Sequence, residues 1–120
     1  MDTQLTITTK TGVQKIGKRV SPDLPKVKDA NVNLRDRLND ILSDEKQMLV
    51  NYQIAINEII NDDLRNLLIT NRDMIQKTHT WFFNELFNLG EYQADVSTHP
   101  QIRDALDVFS GYKTQLPYNQ

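Results

Sequence analysis

Carboxylates and histidines set three residues apart on helices can hold a pair of metal ions, and this chain carries few of the parts. Its two histidines are His79 and His99. A di-iron site in a helical bundle takes one Glu from each of two helices and a Glu-x-x-His motif from each of the other two, all facing inward. Gln76 stands three residues before His79, and Val96 stands three before His99. Neither is a carboxylate, so the motif is absent. Glu45 and Glu58 fall near the inner stripe of a first helix, and Glu85 near that of a second. Glu45 occupies a gap in the apolar stripe, which singles it out. The favoured reading is still structural: these carboxylates sit at seam edges or pair with Lys and Arg.

Other chemistries find still fewer groups. With no cysteine in the chain, disulfides, thiolate nucleophiles and cysteine-based zinc or iron–sulfur sites are excluded together. There is no Gly-x-Ser-x-Gly elbow, and the four glycines form no phosphate-binding loop. Asp62-Asp63 is better explained as a pair of first-turn charges at the positive end of a helix than as an acid–base pair. The expectation is a non-enzyme without cofactor, metal or small-molecule substrate.

What must position any site is a set of helices. A length of 120 residues suits one domain. From Asn33 onward apolar residues recur every three or four positions: Leu34, Leu38, Ile41, Leu42, Leu49, Tyr52, Ile56, Ile59 and Ile60. That spacing places them on one helical stripe. Asn33 followed by Asp36 is a helix start, the Asn oxygen capping a free N–H and the Asp lying at the positive dipole end. Asn61-Asp62-Asp63 then interrupts the run and opens a second helix. Its stripe runs through Leu64, Leu67, Leu68, Asn71, Ile75, Thr78, Phe82, Leu86 and Leu89, with Gly90 as a left-handed C-terminal cap. So short a connection forces the two helices antiparallel. Thr98 or His99 with Pro100 starts a short third helix through Ile102, Leu106 and Phe109, ending near Gly111.

The predicted fold is therefore all-α, a hairpin of long helices plus a short third helix. A lone hairpin leaves apolar surface uncovered, so a four-helix bundle completed by oligomerisation, with itself or a relative, is expected. Phe82 belongs to the core stripe. Trp81, Phe83 and Phe87 around it, with Phe109 on the third helix, are the candidate interface residues.

Charge divides the chain unevenly. Residues 1–28 carry six basic groups (Lys10, Lys15, Lys18, Arg19, Lys26, Lys28) against Asp2 and Asp23, a net of +4; the remainder has 8 basic and 14 acidic groups, a net of −6. A basic arm on an acidic body suits nucleic acid or the acidic face of another copy. The arm has a single Arg and no interleaved aromatic, which disfavours nucleic acid. Gly12, Gly17, Pro22 and Pro25 break any helix there, and a flexible, extended arm is expected. Leu5-Thr6-Ile7-Thr8 alternates as an edge strand would. No apolar segment approaches the ~18 residues that span a bilayer, and no secretory leader is evident, so a soluble intracellular chain without membrane partners is expected.

The run Leu38-Asn39-Asp40-Ile41-Leu42-Ser43-Asp44-Glu45-Lys46, then Tyr52, Ile56-Asn57-Glu58 and Leu64-Arg65, resembles the Coat F domain of the spore coat protein F family. Gly90-Glu91-Tyr92 stands where members often carry Gly-Trp-Tyr, and Tyr112-Lys113-Thr114-Gln115-Leu116-Pro117-Tyr118 is similar to the usual ending. The likeness covers roughly residues 34–118, within a helical domain taken as 29–120. It departs from the family at Asp62, where members often have Pro, and in the aromatic run Trp81-Phe82-Phe83. The resemblance implies a ferritin-like bundle without metal and a structural role in the spore coat. It also implies synthesis in the mother-cell cytoplasm, with the chain itself or related coat proteins as partners. The competing reading from helix architecture is a ferritin-like metal-binding or oxidase protein.

Overall fold

The computed structural model describes residues 1–25 and 30–117, so Lys26 and Lys28 of the arm and Tyr118 of the tail lie outside the described residues. Helix α1 spans Leu34–Glu58 and helix α2 spans Asp62–Asn88. At 1.5 Å per residue each is roughly 40 Å long. The start of α1 is a reciprocal capping box: Asn33 Oδ1 accepts from the Asp36 N–H at 3.1 Å, and Asp36 Oδ2 accepts from the Asn33 N–H at 3.2 Å. Helix α2 begins on Asn61, whose Oδ1 accepts from the Leu64 N–H at 2.9 Å. The turn between them is locked by Arg65, which donates to the Ile59 carbonyl and pairs with Asp62.

The two helices pack antiparallel, as the short connection requires. Their core lies at the open end of the hairpin, where Leu38 and Leu42 meet Leu86, with Phe82, Phe83 and Leu89 against them. Ile56 is buried toward the other end. Leu34, Ile60, Leu64, Leu67 and Thr78, all placed on the inner stripes by periodicity, are exposed. A 3.6-residue repeat identifies a face to within about a quarter turn, and two helices in contact cover only a narrow strip of it.

At its C-terminal end α2 closes with a Schellman motif. The Glu91 N–H donates to the Leu86 carbonyl at 3.1 Å and the Gly90 N–H to the Phe87 carbonyl at 3.0 Å, with Gly90 at φ +76.

The N-terminal segment is not a free arm in this structure. Strand β1 (Thr6–Thr8) pairs antiparallel with β2 (Gln14–Ile16), and β2 pairs with β3 (Ala94–Asp95), giving a three-stranded sheet in the order β1-β2-β3. The turn between β1 and β2 uses Gly12 at φ +84, and Thr9 Oγ1 accepts from the Val13 N–H at 3.0 Å. Residues 17–21 then lie against the end of α2. The Ser21 N–H donates to the Leu89 carbonyl at 2.8 Å, Gln93 Nε2 to the Lys18 carbonyl at 3.0 Å, and Lys18 Nζ to Asn88 Oδ1 at 3.0 Å. Leu24 is buried beyond them. The alternation at Leu5–Thr8 is therefore a paired strand, and β3, which has only two residues, carries no periodicity to read.

Helix α3 spans His99–Tyr112 and starts on a second capping box between Thr98 and Gln101. It passes through Gly111, which has no positive φ, into a 3-10 turn at Lys113–Gln115. Part of the expected extended tail is thus helical. Every residue of α3 is exposed, and the helix touches neither α1 nor α2.

Candidate functional site

Glu45 and His79 meet midway along the hairpin. Glu45 is 6% exposed, and its Oε2 lies 3.5 Å from His79 Nδ1. Neither atom has a hydrogen-bond partner at normal length. The His79 ring lies nearly parallel to Phe83, with centroids 6.5 Å apart. The stripe gap at Glu45 thus marks a buried carboxylate, and its companion is His79 and not the Lys or Arg expected at a seam edge. On α2 the inner position falls at His79, where the stripe was read through Thr78. One residue of helical phase, about 100°, decides which of the two faces α1.

The pair supplies two ligands, and among the described residues no three His, Asp or Glu side chains form a group that could hold a metal ion. A buried polar pair without hydrogen bonds at normal length repays its desolvation poorly. Replacing both residues with apolar ones of similar size, Glu45→Leu with His79→Phe, is expected to raise stability by about 1–3 kcal/mol. Urea unfolding of the double variant checks this, and a loss of stability would mean the pair is positively required.

A second polar contact ties the ends of the hairpin together. Arg35 Nη2 donates to Glu91 Oε1 at 2.6 Å, with both side chains largely covered. The hydrogen bond to Glu91 is the main cause raising the Arg35 pKa above its ordinary value. Of the basic groups in the N-terminal segment, Lys15 pairs with Asp95 of the same chain at 3.3 Å and Lys18 bonds Asn88. Both side chains are engaged with the chain's own body.

The four aromatic residues expected at an interface divide. Trp81 is 59% exposed while resting edge-on against Phe82, with centroids 4.9 Å apart. Phe109 is 68% exposed on α3, beside Tyr112. Phe83 is half-buried and packs against Tyr92 with centroids 4.5 Å apart, so its partner is the loop after α2 rather than the third helix. Phe87 is 2% exposed and belongs to the interior. Residues 19–21 lie against Leu89 and Gly90 at this end of α2, a covering not visible from helical periodicity. Exposed Leu64, Leu67 and Met74 on α2 were missed as surface; their spacing of three and seven residues from one another and from Trp81 is the signal that could have found them.

Comparison with known proteins gives this geometry a family. The model of the Coat F domain matches residues 33–95, which run from the cap of α1 to the end of β3. The chain belongs to the Coat F family. The match is shorter than the likeness read over 34–118: α3 and the tail lie beyond it, as do β1 and β2. A relative in Bacillus subtilis (strain 168), the uncharacterized protein YusN, is 25% identical over 101 residues, covering 83% of this chain and 92% of the relative. No solved structure matches. Among the described residues, no helix of this Coat F chain is long and apolar enough to cross a membrane.

Proposed function

We propose that this chain is a structural, non-catalytic protein of the spore coat, assembling by helix packing with itself or with related coat proteins. The observation that carries the reading is the Coat F match across the whole helical hairpin. Apolar surface left open on α2 and α3 supports the assembly part of it. On this reading the chain is made in the mother-cell cytoplasm and deposited on the forespore. A fluorescent fusion followed through sporulation is expected to gather as a shell or cap at the forespore. A signal that stays diffuse throughout would overturn the assignment.

The alternative, a ferritin-like metal-binding or oxidase protein, has one observation in its favour, the burial of Glu45 against His79. Elemental analysis of the purified chain decides it: stoichiometric iron, manganese or zinc would restore that reading.

A further inference from the structure

Helix α2 has a second apolar seam, on a flank about a quarter turn from the side that packs on α1. Leu64, Leu67, Met74 and Trp81 are all exposed, and with Asn71 and Thr78 between them they alternate in steps of three and four. Alternation of that kind, a mean period of 3.5, is the pattern by which one helix receives another along its length. Helix α3 offers the complementary element: Ile102, Leu106 and Phe109 repeat at four and three on one face and are exposed. The lengths agree, at about 21 Å for α3 and about 26 Å for Leu64–Trp81 at 1.5 Å per residue.

The chain's own α3 does not fill the seam. Pairing of β3 with β2 and the Thr98 cap set its start beside the sheet, and it runs clear of both long helices. We propose that the seam on α2 receives α3 from a second copy, in a two-fold exchange where each chain gives one helix and accepts one. This rests on the reading that the protein assembles through helix packing, and it names the surfaces.

Area supports the second copy. With seven large side chains of ~150–250 Å² about half exposed, one α2–α3 contact covers roughly 500–900 Å². Two such contacts reach roughly 1,000–1,800 Å², which overlaps the size range of a stable dimer interface. A two-fold operator makes both contacts identical and closes the assembly. Asn71 and Thr78 within the seam add polar groups able to set the register.

Light scattering of the full chain at micromolar concentration is expected to give twice the chain mass. Phe109→Asp on α3 and Met74→Asp on the seam, both at exposed positions, should each weaken self-association by ~100-fold while leaving helicity unchanged. Mixed heavy- and light-isotope chains carrying a photo-crosslinking amino acid at Ala105, exposed beside the Ile102–Leu106–Phe109 face, locate the contact. Mixed-mass adducts on residues 64–81 are expected. A monomer, adducts confined to single chains, or mixed adducts elsewhere would each overturn the exchange. The fusion assay separates this outcome from the coat assignment: a monomeric chain that still gathers at the forespore refutes only the exchange, and a dimer that stays diffuse refutes only the coat.

Discussion

Phe87→Ala is expected to lower stability by about 3–5 kcal/mol, the cost of deleting a fully buried aromatic and leaving a cavity. Phe87 is the largest side chain with essentially no exposure among the described residues. A small domain has a total stability of about 5–15 kcal/mol, so a large part of the folded population's margin would go with one residue. The readout is the urea midpoint at unchanged slope. An interface residue would behave differently: monomer unfolding would hold and only self-association would weaken. A loss below about 1 kcal/mol would mean that Phe87 is not part of the core.

Gly90→Ala is expected to cost about 3 kcal/mol, from two separable causes. At φ +76 a residue with a Cβ pays roughly 1–2 kcal/mol for left-handed backbone. The added Cβ would also meet the Arg19–Val20 peptide, with Val20 N at 2.6 Å and the Arg19 carbonyl closer still. That backbone cannot yield as a flexible side chain would, so residues 17–21 must lift away. That movement breaks the Ser21–Leu89 hydrogen bond, worth about 1 kcal/mol. Gly90→Asn distinguishes the causes, because Asn tolerates the left-handed region yet still carries a Cβ. Both variants should lose hydrogen-exchange protection at Ser21 and in β1–β2. If Asn restores wild-type protection, the close approach of the strand is wrong and only the cap matters.

These two neighbours show why parts of the molecule were readable and others were not. Gly90 was legible as a cap because helix termination is local: a glycine after the last periodic residue is sufficient cause. That the same glycine also makes room for residues 19–20 depends on a segment about 70 positions away. Glu45 was legible as an anomaly, since it breaks an apolar repeat. Its partner was not, because the angular difference between Thr78 and His79 is settled only when α2 rotates to pack on α1. Of the four aromatics grouped as interface candidates, Trp81 and Phe109 are exposed, Phe83 packs on Tyr92 and Phe87 is buried, a division that helical spacing does not make.

By itself the sequence determined the three helices, their caps, the antiparallel sense of the long pair and membership of the Coat F family. The helices, their caps and the antiparallel sense rest on spacing and on interactions within a few residues, and the family on the likeness of the run from Leu38 to Arg65. Only the tertiary structure decided that the basic segment folds into a hairpin paired through β3, that His79 meets Glu45, and that α3 stands away from its own hairpin. Such contacts join residues far apart in the chain, where burial and close approach choose among faces that periodicity leaves equivalent.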